Sequence, residues 1–140
     1  MGGLARARAL VVAAAVVLGL LSQARIARTG HDSVPDVIAL QPDYVKRLMD
    51  AGETLVLIDL RKPGEYRSGH LPGARSLPIT ELDRRFAEIP RSPRVILYCA
   101  CPIEDIATAF TFLRTKGYAN HAILEGGFDS WLRQRYPVTR

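Results

Sequence analysis

The chain has 140 residues, 48% of them hydrophobic, enough for one domain that buries its own core without staples. Its formal charge of +5 is unevenly spread. Arg6, Arg8, Arg25 and Arg28 against Asp32 put +3 in residues 1–35, leaving +2 for the rest, where acids and bases interleave. The basicity belongs to the N-terminal stretch rather than to a face of the domain, so no nucleic-acid partner is expected.

Residues 1–24 open with a short basic start and an unbroken apolar run from Ala9 to Leu21. Those residues make a helix of about 20 Å, short of the roughly 30 Å hydrocarbon core of a membrane. Ser22-Gln23-Ala24 supplies the small-x-small pattern that a signal peptidase reads. Basic residues flank the run on both sides, so a signal peptide and a retained anchor through residues 9–24 both stand. Either one places the domain outside the cytoplasm or on a membrane. Residues 25–36 lack hydrophobic periodicity and read as a linker, with a folded domain from 37 to 140.

Within that domain strands and helices alternate. "VIAL" (37–40) reads as a short strand, and Pro42 opens a helix that shows Tyr44, Val45, Leu48 and Met49 on one face before Gly52. "LVLID" (55–59) is a continuous apolar strand, as burial on both faces of a parallel sheet requires. Residues 63–74 read as turns, 75–79 as a short strand, and 80–88 as a helix grouping Leu82, Phe86 and Ile89. "RVILY" (94–98) is the most apolar strand and is placed at the centre of the sheet. A helix is expected over 106–117, a strand and turn over 121–127, and a last helix over 128–135. The predicted class is α/β with a mostly parallel sheet. In such sheets ligands bind beyond the carboxyl ends of the strands, which here carry Asp59-Leu60-Arg61 and Tyr98-Cys99.

"YCACPIED" (98–105) follows the central strand with two cysteines. A loop bent between a strand end and a helix start aims backbone N–H groups inward, and such a nest lowers a thiol pKa from its usual value near 8.5. Cys99 therefore reads as a nucleophile or, equally, as a buried apolar residue that ends a strand. A Cys99–Cys101 disulfide would close a very small ring suited to redox turnover. A metal site is disfavoured, because two cysteines and the scattered His31, His70 and His121 lack ligand spacing. Neither a metal nor another cofactor is expected.

Three segments in order resemble the rhodanese (sulfurtransferase) family: "LIDLRKPGEYRSGHLPGARSLP" (57–78), "VILYC" (95–99) and "LEGGFDSW" (124–131). The resemblance runs from about Val37 to Val138. It implies a five-stranded, mostly parallel sheet flanked by helices, with Cys99 accepting a sulfane sulfur as a persulfide. Cys101 becomes a resolving thiol. The loop of Ala100, Pro102, Ile103, Glu104 and Asp105 holds the substrate. Asp59 and Arg61, with Glu65, His70, Pro72 and Gly73, match positions that shape the pocket side. His70 reads as a turn residue, and Trp131 as core or a lid on the sheet rather than a ligand.

The loop departs from the family pattern at one position. Active members usually end a six-residue loop with an arginine that binds the anionic donor, and here the sixth residue is Glu104, followed by Asp105. A carboxylate there repels thiosulfate and opposes thiol ionisation. Asp105 also reads as an N-cap for a helix at 106. The implied function is a sulfurtransferase or persulfide carrier, monomeric, with a small sulfur donor and a thiol acceptor as partners. A non-catalytic interaction module and a thiol redox protein using Cys99 and Cys101 are the alternatives.

Overall fold

The computed structural model describes residues 37–140. The expected leader (1–24) and linker (25–36) lie outside the described residues. Five strands form a single sheet in the order β1-β5-β4-β2-β3: β1 Ala39–Leu40, β2 Leu55–Asp59, β3 Arg75–Ser76, β4 Arg94–Tyr98 and β5 His121–Leu124. Every pairing is parallel, and β4 is central with β5 on one side and β2 on the other.

The period of two along β4 divides the core between the two faces of the sheet. Val95, Leu97 and Cys99 point to one side, where they join Ile58, Leu82, Ile89, Ile106, Phe110 and Leu113. Ile96 and Tyr98 point to the other, with Leu57, Val45, Leu71, Phe128 and Trp131. Helix α1 (Pro42–Asp50) buries Val45 and leaves Tyr44 exposed. Gly52, at φ +74, then turns the chain towards β2 in a conformation that costs glycine little.

Several local expectations are corrected. Residues 63–74 are not all turn: Pro63–Ser68 forms α2, because Pro63 presets the first helical φ and the Glu65 carboxylate accepts the Lys62 N–H at 3.1 Å. The strand expected over 75–79 stops at Ser76. Pro78, which has no N–H, then leads into a 3-10 turn at Ile79–Glu81. The helix expected over 80–88 is broken into that turn, a short α3 (Leu82–Arg85) and a second 3-10 turn (Phe86–Glu88). Helix α4 runs Ile103–Thr115, so it starts three residues before the expected position. Pro102 sets its N-cap, and Asp105 and Ile106 both donate backbone N–H groups to the Pro102 carbonyl. Helix α5 covers Gly127–Arg133.

Candidate active site

The carboxyl ends of β2 and β4 meet in register. Asp59 pairs with Tyr98, and the Leu60 N–H donates to the Tyr98 carbonyl at 2.9 Å. Both strand-end motifs therefore lie at one edge of the sheet, as the sequence implies.

Asp59 and Arg61 form a buried ion pair. Arg61 Nη2 donates to Asp59 Oδ2 at 2.5 Å and Nε to Oδ1 at 3.0 Å, while the Arg61 backbone N–H also reaches Oδ1 at 3.0 Å. Nη2 further donates to the Gly69 carbonyl at 2.7 Å. Burial opposes the guanidinium charge, but the hydrogen bond and attraction of Asp59 outweigh it and hold the pKa above its ordinary value. One face of the guanidinium lies 3.6 Å from the centre of the Phe128 ring. Arg61 thus lines a shallow pocket with Lys62, Gly64, Glu65 and Phe128, whereas Asp59 lies beneath and orients it. Beside them, burial first and the Asp59 charge second push the Tyr98 phenol well above its usual range, so it stays neutral. Its oxygen accepts the Leu71 N–H at 3.2 Å.

Cys99 sits at the end of β4 with 4% of its surface exposed. Cys101 is partly exposed, and a disulfide joins the two sulfurs with the Cα atoms 5.4 Å apart. The backbone of Cys99 is held from the opposite side by the β5–α5 junction. Its carbonyl accepts the Phe128 N–H at 2.8 Å. A Cβ on Gly127, whose φ is +56, would collide with that same carbonyl oxygen. Neither Gly127 nor Phe128 is singled out by sequence reasoning, which takes the Gly-Gly pair as a turn. The doubled glycine beside an aromatic is the signal that was available.

The substrate-loop residues divide. Ala100, Cys101 and Pro102 form the loop itself, and the N–H groups of Ala100, Cys101, Ile103 and Glu104 donate to no protein acceptor among the described residues. Ile103, Glu104 and Asp105 belong to the first turn of α4 and are exposed. Asp105 is consequently not the N-cap but stands three positions into the helix, where an acid still favours the positive end of the dipole. Ile103 and Glu104 border an outward groove along α4 with Ala107, Thr108 and Phe112.

The remaining residues serve the scaffold. His70 stacks on Tyr66 with ring centres 3.8 Å apart, places Nδ1 2.9 Å from the Tyr66 carbonyl, and bridges Thr139 through its backbone. Pro72 and Gly73 (φ +78) occupy the centre of a tight turn closed by Ala74 N–H to the Leu71 carbonyl at 3.0 Å. Trp131 is fully buried and donates Nε1–H to the Pro137 carbonyl at 2.9 Å.

The rhodanese-like domain family model matches residues 41–134, a span that contains the cysteine at the end of the central parallel strand and the loop and helix after it. The chain belongs to the rhodanese family. A sulfurtransferase of Allochromatium vinosum is 33% identical over 93 residues, covering 66% of this chain and 85% of that protein. The protein YqhL of Bacillus subtilis is 40% identical over 75 residues, 54% of this chain and 59% of that one. The crystal structure of a thiosulfate sulfurtransferase from Pseudomonas aeruginosa superposes with a TM-score of 0.65 at 30% identity. That likeness covers 74% of this chain but 20% of that one, so most of the larger protein has no counterpart here. The rhodanese fold and a sulfurtransferase or sulfur-carrier role follow from this membership.

Proposed function

We propose that this rhodanese domain carries sulfane sulfur on Cys99 and uses Cys101 as the thiol that resolves the persulfide. The single observation that carries the reading is the seating of Cys99. Its backbone is fixed by Phe128 and Gly127, and the loop that follows holds N–H groups with no protein acceptor among the described residues. Such groups at the start of a helix favour a thiolate and the anionic terminal sulfur it would carry. In the loading step the Cys99 thiolate attacks the outer sulfur of a donor, and the Cys99–S bond forms as the donor's S–S bond breaks. Sulfite leaves when the donor is thiosulfate, and a shortened polysulfide anion leaves when it is polysulfide. An acceptor thiolate then removes the terminal sulfur and Cys99 departs as thiolate. When Cys101 attacks instead, sulfide leaves and the Cys99–Cys101 disulfide forms.

Glu104 weighs against one donor. With a carboxylate where the family usually places an arginine, the dianion thiosulfate is disfavoured. Mass spectrometry of the reduced full chain after polysulfide tests the reading. Cys99→Ser should abolish the added sulfur, and Cys101→Ser should lengthen its life. An adduct that survives Cys99→Ser and vanishes in Cys101→Ser would reverse the assignment.

The location reading is part of the same proposal: residues 9–24 export the domain or tether it to a membrane, through the 25–36 linker. Soluble full-length chain in the cytoplasm, with Met1-side peptides intact, would rule out both.

A further inference from the structure

The two sulfurs of the Cys99–Cys101 disulfide are not equivalent to an incoming nucleophile. Cys99 belongs to the buried cluster that also holds Leu60, Leu97, Ile106 and Phe110 and is 4% exposed, whereas Cys101 packs against the edge of that cluster and is partly exposed. A thiolate must approach a disulfide along the S–S axis, from beyond the sulfur that it attacks. For Cys99 that path runs through the core. For Cys101 it starts in solvent, next to the exposed Ala100 and Pro102.

We infer that the oxidised domain is reactivated by a protein dithiol, which attacks Cys101 and expels Cys99 as the thiolate. This rests on the sulfur-carrying reading above, because the thiolate released is the one that takes the next sulfane sulfur. In the first step the reductant's thiolate bonds to Cys101 Sγ, the Cys99–Cys101 bond breaks, and the electron pair leaves on Cys99. The loop suits that direction: the leaving sulfur is at the strand end, where the loop begins whose N–H groups have no protein acceptor among the described residues. In the second step the reductant's other thiol, as thiolate, attacks its own sulfur in the mixed disulfide. The reductant closes its own disulfide and Cys101 leaves as a thiolate that takes a proton from water. Two electrons pass from the dithiol to the domain.

Proximity decides why a dithiol is needed. In the mixed disulfide, Cys99 is two residues from Cys101, with 5.4 Å between the Cα atoms in the closed form. Its attack back on Cys101 is intramolecular and regenerates the oxidised loop, so an isolated thiol is expelled as readily as it adds. A second thiol on the reductant competes because it is intramolecular too. A monothiol should therefore reduce the loop poorly at a concentration where a dithiol completes the reaction.

The test uses the oxidised full chain and, as probe, a thioredoxin whose second active-site cysteine is replaced by serine. Acid quenching followed by peptide mapping should find the probe on Cys101 in preference to Cys99 by about tenfold or more. The unaltered thioredoxin and dithiothreitol should both release two thiols, whereas 2-mercaptoethanol at equal thiol concentration should leave most of the disulfide closed. Probe mapped mainly to Cys99, equal reduction by the monothiol, or failure of diamide to close the Cys99–Cys101 bond would each overturn the inference. Persulfide formation on the reduced protein is read separately after polysulfide, so its loss would strike the sulfur-carrying reading and leave this regiochemistry standing.

Discussion

The carbonyl oxygen of Cys99 accepts the backbone N–H of Phe128 at 2.8 Å, and the residue before Phe128 is a glycine whose Cα is packed against that same carbonyl. The last segment of the domain thereby fixes the backbone of the sulfur-bearing residue. A Cβ at Gly127 has nowhere to go, because the Cys99 peptide follows directly from the central strand and cannot retreat. Gly127→Ala should cost about 3–5 kcal/mol in chemical denaturation. Gly52→Ala isolates the backbone contribution, since φ is +74 there but nothing lies within 4 Å of the added methyl. It should cost only about 1 kcal/mol. Equal losses in the two variants would mean that the contact with Cys99 does not matter.

The Asp59–Arg61 pair supports the same region through Phe128, whose ring lies against the guanidinium. Removing one member of a buried pair leaves an uncompensated charge. Asp59→Asn should therefore destabilise the domain by about 3–5 kcal/mol, measured as a shift in the denaturation midpoint at constant slope. The double variant Asp59→Asn, Arg61→Met should recover part of that loss, because no buried charge then remains. A double variant as unstable as the sum of the singles would contradict a coupled pair.

Glu104 faces the outward groove of α4 and is exposed, so water screens its charge. Glu104→Arg should raise thiosulfate turnover by about threefold to tenfold, the range for reversing one screened charge near an anionic substrate. The gain should shrink as salt is added. Wild-type turnover already high with thiosulfate, and unimproved by the substitution, would refute the role given to this carboxylate.

Tyr98 gives the fold an alkaline limit. Burial, then the Asp59 charge, hold its phenol pKa above the ordinary 10.0. The neutral form is thus favoured in the folded state, and its contribution is complete below the unfolded value and lost as pH rises beyond it. Unfolding free energy should fall above about pH 10, with up to ~1.4 kcal/mol per pH unit from this group. Tyr98→Phe should flatten that slope while lowering stability at neutral pH by about 1–3 kcal/mol, since the Leu71 N–H loses its acceptor. An unchanged alkaline slope in the variant would assign the loss to the other tyrosines.

Sequence by itself determined the parallel α/β class, the extents of β2 and β4, and the meeting of Asp59-Leu60-Arg61 with Tyr98-Cys99 at one edge. Continuous apolar runs of four residues, Leu55–Ile58 and Val95–Tyr98, bounded by turn signals, read as strands buried on both faces, and strand ends in a parallel sheet share an edge. It also determined the chemistry on offer: two cysteines in one loop, and a carboxylate at the arginine position. Boundaries governed by local competition were less legible. Pro102 starts α4 early and turns Asp105 from a cap into a first-turn residue, and Pro63 with Glu65 makes a helix out of a turn-rich string. What only the tertiary structure decided are the relations between distant segments: Gly127 and Phe128 against Cys99, Phe128 against Arg61, and the burial that separates Cys99 from Cys101. Each depends on how far two chain segments approach in space. Residue types and spacing along one segment carry no record of that distance, because it is set by the packing of β5 and α5 on the strands before them.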